Sequence, residues 1–449
     1  MRAYLQKYSS AAPLAVFRAI FGTMLLISIC RFVTMGWVRE LYISPQFFFP
    51  FYGFEFVKPI GEWTYALFAL CGFSALLVAI GWFYRWASVT LFLSFTYIEL
   101  MDKSTYLNHY YFVSVLCFML VFLPAHTLFS VDSRRDSKLL AAQIPAWCTD
   151  SIRVIVCMLY FYAGLAKLNS DWLLHALPLK IWLPAKNDIP VVGTLFNDTA
   201  TAYVFSWMGC IYDLSIGFLL WNRKTRPFAY VSVVVFHLAT SLLFPIGMFP
   251  YIMIVTALIF FPAKFHQKII SVVAFWLRLP ESYLRPQGRY QFPTVLQPAL
   301  YAVFAMFFAF QFTFPFRYLL YHDELFWTEE GYRFSWRVML MEKAGYTQFT
   351  ITDAKGKKQV VNNNAFLTRL QEKMMSTQPD MILQYAHMLR DHYAARGFEY
   401  PQVRVDSYVA LNGRMGKPLI DPNVDLAQQT ESHRHKSWIT PFNDEIKGF

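Results

Sequence analysis

The sequence predicts a mainly α-helical, polytopic membrane bundle of about nine spans, followed by a small C-terminal extramembrane α/β domain. Three observations predict it. Of the 449 residues, 56% are hydrophobic and only 15% are charged, a composition too apolar for an ordinary soluble chain. Several apolar runs approach the roughly 20 residues that cross a bilayer. After about residue 317 the runs shorten and charged and amide residues become frequent. These shifts divide the chain into 1–317, a transmembrane bundle, and 318–449, an outer domain.

Taken in order, the candidate spans are 13–35, 63–84, 86–100, 107–124, 151–169, 201–221, 228–244, 247–262 and 294–316. The third and eighth are short. The first follows only Arg2 and Lys7 and lacks a small-residue cleavage signal, so it reads as a retained helix. Basic residues alternate between the ends. Arg2/Lys7, Arg85, Arg134/Arg135/Lys138, Arg223/Lys224/Arg226 and Lys264/Lys268/Arg278/Arg285/Arg289 share one side, while loops 36–62, 101–106, 170–200 and 245–246 are nearly neutral. The positive-inside rule puts the basic side in the cytoplasm and the tail outside, in periplasm or lumen. This pattern also accounts for the net charge of +11 without invoking nucleic acid. Six cysteines show no CxxC or Cys/His spacing, so neither a metal site nor a disulfide framework is indicated.

In the tail, Tyr346–Thr352 and Lys358–Val361 read as a hairpin across Asp353-Ala-Lys-Gly356. Phe366–Met375 and Met381–Arg396 have helical periodicity, and Val403–Leu411 alternates as a third strand.

Within this frame the chemistry-bearing residue is Lys167, which ends the apolar run of the fifth span in Tyr160-Phe-Tyr-Ala-Gly-Leu-Ala-Lys167-Leu-Asn-Ser-Asp171-Trp172. An amine there either snorkels to the headgroups or faces the bundle interior, where desolvation makes it a neutral base. Asp102, Asn108 and His109 lie at the same end, and His237 lies in the middle or outer half of the seventh span. Intramembrane ionisable groups face cavities or partners, so together they suggest a pocket open to the outer side.

The motifs Asp102-Lys-Ser-Thr-Tyr-Leu-Asn-His109, Tyr160–Trp172, Phe236-His237 with Leu243–Tyr251, Gly331-Tyr-Arg-Phe-Ser-Trp336, Ile420–Asp425 and Lys436-Ser-Trp438 together resemble the vitamin K-dependent γ-glutamyl carboxylases. They do so in order, over roughly three quarters of the chain. The resemblance implies an HTTM-type membrane domain and a membrane enzyme that epoxidises vitamin K hydroquinone with O2. The base so generated removes a glutamate γ-proton, and CO2 adds to the carbanion. Lys167 matches the lysine that deprotonates the hydroquinone. His109 and Asn108 match polar residues near that site, and His237 matches a histidine of the seventh span. Trp327, Tyr332, Ser335 and Trp336 match the region linked to glutamate binding, though an interfacial aromatic belt is the other reading of these rings. No metal is implied. The partners implied are a glutamate-containing peptide, the lipid bilayer and a quinone reductase that recycles the epoxide.

The sequence departs from the animal members at Ala166, where a first lysine stands, at Met341, where a histidine is expected, and at Lys343, where an arginine is expected. It also ends at Phe449, which points to a compact prokaryotic homologue in an inner membrane. Two other functions compete with γ-carboxylation. One is a quinol or lipid oxygenase acting on a different acceptor. The other is a non-enzymatic transporter or membrane partner protein, against which the absence of an internal repeat counts.

Overall fold

The computed structural model describes residues 2–280 and 286–448; Arg285, counted above among the basic positions, lies outside them. Six helices are long and apolar enough to cross a membrane: Ala12–Thr34, Gly61–Ile80, Ala146–Leu165, Thr199–Trp221, Arg226–Leu243 and Gln297–Leu320. A seventh is the pair Phe249–Phe260 and Ala263–Trp276, if counted as one span, although it bends by 115°. By length and hydropathy, six of the about nine expected spans pass among the described residues, or seven with that pair. Tyr84–Leu100 has 17 residues and Asn108–Phe122 has 15. At 1.5 Å per residue they measure about 25 and 22 Å, and they still join the two ends of the bundle, because Lys103 after the first meets the tail and Ala125 after the second accepts from Arg18.

The Ala263–Trp276 helix was not foreseen. Only His266, Ile270 and Ala274 are buried on it, at a spacing of four, while Phe275 and Trp276 are exposed. Its lysines, Lys264 and Lys268, were read as loop charges. An apolar stripe beside basic residues suits a helix lying along a membrane surface.

One end of the bundle is closed by Arg18, which is fully buried in the first long helix. It donates to the carbonyls of Val78 and Ala79 in the last turn of the Thr64–Ile80 helix at 2.5 and 2.6 Å, where backbone acceptors run short of partners; the Val78 carbonyl also accepts from Gly81 N at 3.1 Å. A two-stranded sheet, Tyr8–Ser10 against Gln143–Pro145, ties the N-terminus to the same end.

The opposite end carries the tail. A four-stranded antiparallel sheet orders Lys358–Val360, Lys343–Thr352, Gln402–Leu411 and Lys417–Pro418. Helices Arg369–Met375 and Pro379–Ala394 pack beside it. The hairpin, both helices and the third strand were legible in the sequence, with boundaries shifted by a few residues. Along Gln402–Leu411 buried and exposed residues alternate, the period of a sheet with one covered face.

Three of the four loops expected on one side, 36–62, 101–106 and 170–200, lie together, because each reaches the tail. Gln371 and Gln384 donate to the carbonyls of Phe47 and Pro50 at 2.7 and 2.9 Å. Lys103 Nζ meets Asp380 at 2.7 Å. Asp171 receives both Nη1 and Nη2 of Arg414 and Asn412 Nδ2, each at 2.7 Å. Trp182 Nε1 donates to Glu342 at 2.6 Å.

Candidate functional site

The Ala146–Leu165 helix ends two residues before Lys167. Gly164 lets the Thr199–Trp221 helix come close there: a Cβ on it would stand 2.7 Å from the backbone nitrogen of Leu214. That approach sets Asp213 beside the lysine. Lys167 Nζ donates to Asp213 Oδ2 at 2.8 Å and to the Ala163 carbonyl at 3.1 Å, and it sits 5.2 Å from the Trp172 ring centroid. Lys167 is only 6% exposed. It does not snorkel, and the amine expected to stand alone has a carboxylate partner.

Beside this pair lies an apolar cavity of about 140 Å³. Aromatic residues of its wall include Trp182, Phe236, Phe244 and Phe249, and the polar groups include Lys167, Asp213, Tyr160 and His237. His237 Nε2 and the Tyr160 hydroxyl are 2.8 Å apart, and His237 Nδ1 is buried with no partner among the described residues. The turn 244–248, with Gly247 at φ +60°, brings Phe244 and Ile246 onto the same cavity. An apolar space with a cluster of polar atoms suits a lipid-borne ring compound, since such sites are mostly apolar with a few placed polar groups.

Of the residues singled out in the sequence, Lys167 and His237 line this cavity; the others do not. His109 is buried and stacks on Phe249, with ring centroids 5.3 Å apart; Phe249 also lies 6.0 Å from His237 and so stands between the two histidines. Asn108 receives the Tyr106 hydroxyl at 2.9 Å and donates to the Arg337 carbonyl at 2.5 Å. Asp102 is buried and caps Ser104 while accepting from Gln371. Trp327 is buried, its Nε1 donating to the Thr440 carbonyl at 2.8 Å and its ring stacking on Phe442. Trp336 is buried against Tyr111, 4.8 Å between centroids. Neither indole belongs to an interfacial belt. Tyr332 packs edge-on to Phe326, and its carbonyl accepts the Ser335 hydroxyl. Lys343 is held by Glu329 at 2.9 Å and by the carbonyls of Trp327 and Thr377, with burial pushing its amine down from the ordinary lysine value.

Asp213 was missed. A lone carboxylate inside an apolar helix was the available signal, because such residues mark function by default. Glu99, accepting from Ser114 at 2.5 Å within the bundle, gave the same signal. Among the described residues no group of three His, Cys, Asp or Glu side chains is placed to hold a metal ion.

Two protein families match the chain. Residues 7–265, more than half of the chain, match the HTTM domain. Residues 296–445 match the lumenal domain of vitamin K-dependent gamma-carboxylase. No solved structure matches the chain. The chain is thus a multi-pass membrane protein that belongs to the vitamin K-dependent gamma-carboxylase family, whose cosubstrate is vitamin K hydroquinone and whose acceptor is a protein glutamate.

Proposed function

We propose that this protein couples epoxidation of vitamin K hydroquinone by O2 to carboxylation of a peptide glutamate with CO2, as a carbon–carbon lyase. The observation that carries the reading is the buried Lys167–Asp213 pair on the wall of an apolar cavity. A glutamate γ-proton is too weakly acidic for any ordinary side chain. The bound quinol, oxygenated, supplies the strong base, as redox cosubstrates do for such chemistry. What the protein supplies is the opening proton transfer and a dry site.

Lys167 Nζ is the acceptor for the quinol hydroxyl proton. Asp213 Oδ2, at 2.8 Å, orients the amine and balances the ammonium that forms. His237, fixed through Nε2 to Tyr160, orients the ring from the wall of the same cavity. His109 acts behind Phe249 as a positioning residue, and Asn108 fixes the 335–339 segment. Trp327, Tyr332, Ser335 and Trp336 build the floor on which the acceptor segment rests. Aromatic walls exclude water, which protects a carbanion from reprotonation.

We divide the chain at 317/318 and place the tail on the outer side, periplasmic in a bacterial inner membrane. The distribution of Arg85, Arg134, Arg223 and their neighbours supports this orientation. A quinone reductase in the same membrane returns the epoxide to the quinol.

The test uses purified protein in lipid nanodiscs, supplied with hydroquinone, O2, labelled CO2 and a glutamate peptide. Epoxide and incorporated label are measured separately. Both products are expected from the wild type and neither from Lys167→Ala. Epoxide without label from any peptide refutes carboxylation and leaves an oxygenase with another acceptor. Equal background from wild type and variant refutes catalysis at Lys167.

A further inference from the structure

We propose that the Ala263–Trp276 helix docks on a bilayer surface of anionic phospholipid, with its basic flank on the headgroup phosphates and its apolar flank in the acyl layer. The inference goes beyond the carboxylase reading and does not depend on it. The helix lies at the end of the bundle that Arg18 closes. It packs against the Ala12–Thr34 helix, and just before it Arg153 donates to the Ile259 carbonyl at 3.0 Å. Phe261 and Pro262 then take extended backbone, with ψ of 156° and 155°, because the proline cannot continue the preceding helix. The chain turns there by 115°. A helix leaving a membrane-crossing one at that angle runs nearly along the bilayer surface.

Successive residues stand about 100° apart around a helix, and on that projection three faces separate. His266, Ile270 and Ala274 are buried against the bundle. On one side of them stand Phe265, Ile269, Val272 and Trp276, of which Val272 is 51% and Trp276 78% exposed. On the other stand Lys264, Gln267, Lys268 and Ser271, all exposed. Apolar groups left open on one flank call for a cover, and tryptophan is the ring that settles at headgroup level.

Charge selects the occupant. Residues 263–279 contain no Asp or Glu, and Lys264, Lys268 and Arg278 are exposed and form no ion pair among the described residues. Arg278 sits at φ +52° just past the helix, where Leu279 N reaches back to the Ala274 carbonyl at 2.9 Å. That closure ordinarily takes glycine. An arginine held in the left-handed region carries strain, which points to a use for its side chain.

The three cations are spread along the chain. From Lys264 to Arg278 is about 21 Å at helical rise, too far for one small anion and matched to a plane of phosphates. A protein or nucleic-acid partner on the basic flank would leave Val272 and Trp276 uncovered, whereas a bilayer surface covers both flanks at once. Each cation at an anionic surface contributes roughly fivefold to the docked state, and salt screens that contribution. The apolar flank is indifferent to headgroup charge, so the two contributions separate experimentally.

The experiment measures amide exchange of 263–279 in the full chain, in nanodiscs of phosphatidylcholine alone and of an equal mixture with phosphatidylglycerol. Both faces of a disc meet buffer, so membrane orientation does not enter. Exchange is expected to slow by roughly five- to a hundredfold in the anionic discs. That protection should vanish in about 1 M salt, where the screening length falls to about 3 Å. It should vanish too in the triple variant Lys264→Gln, Lys268→Gln, Arg278→Gln; the wild-type comparison needs no variant to fold. Equal exchange in the two discs overturns the proposal, whether both protect the helix, as apolar burial alone would, or neither does, as a face kept for a protein partner would. Protection in phosphatidylcholine discs on adding inorganic phosphate also overturns it, because a small-anion site would then explain the lysines. Loss of epoxidation or carboxylation leaves this readout unmoved, so the two readings fail separately.

Discussion

Replacing Asp380 by Asn is expected to loosen the tail from the bundle. Asp380 Oδ2 receives Lys103 Nζ and Arg333 Nη1, both at 2.7 Å, and Oδ1 receives Arg333 Nη2 at 3.2 Å. Lys103 is 2% exposed, and Arg333 is largely covered. Removing the charge leaves two buried cations facing an amide. Breaking a buried pair from one side costs about 3–5 kcal/mol, or roughly two to four decades in a local opening constant. Glu431, 3.7 Å from Lys103 Nζ, keeps the loss toward the lower end. The acid dependence follows. Burial alone would raise the Asp380 carboxyl, but Arg333 and then Lys103 outweigh it and hold it well below the ordinary carboxylate range. A depressed folded pKa contributes stability above the unfolded value of about 3.9 and loses it as pH falls further. Docking in the wild type should therefore weaken only below about pH 4, and the variant should lack that acid limb. Amide exchange of 101–107 and 369–394 as a function of pH reads both effects. Equal exchange rates in the two proteins at neutral pH would refute the reasoning.

Asp213→Asn should lower carboxylation and epoxidation together by roughly 10²–10⁴-fold, the range of general acid–base assistance; quinol binding, followed by fluorescence quenching, should persist. Gly164→Ala should impair activity without touching a polar group, because its Cβ would stand 2.7 Å from Leu214 N and push Asp213 from Lys167; a Gly416→Ala control in the tail, whose Cβ meets nothing nearer than 4.0 Å, should be silent. Arg414→Gln removes two bonds from buried Asp171 and should expose the Ser170–His175 helix to exchange, shifting Trp172 over Lys167.

Much of the fold was written in local pattern. Apolar runs marked the long helices, and alternation marked Gln402–Leu411, because burial of one face leaves a period behind. Lengths were less legible. Asn108–Phe122 sits in a run that looks long enough, yet Leu123 takes an extended backbone and closes the helix, and Pro124 follows it. The Ala263–Trp276 helix hid because its apolar stripe is narrow and its lysines resemble a loop. Arg18 hid because a single charge within an apolar run does not announce which carbonyls it will meet.

The site was legible where one residue breaks a pattern and illegible where two must meet. Lys167 stands out against its own helix, and so does Asp213 against a helix 46 residues later; their pairing depends on Gly164 permitting close approach of the two backbones. Asn108 and Trp336 were singled out as polar and aromatic residues near a reacting centre. In the fold they set the course of 335–339, one by gripping the Arg337 carbonyl and the other by packing on Tyr111. That division follows from the solvent. In a lipid-facing bundle nearly every side chain is apolar, so a charged one is visible at once, whereas its partner and its support are set by helix packing that no local pattern records. The Lys167 amine can serve as a proton acceptor only because Asp213 and the aromatic wall fix its position, so the unit on which catalysis depends is the contact between two helices rather than the lysine alone.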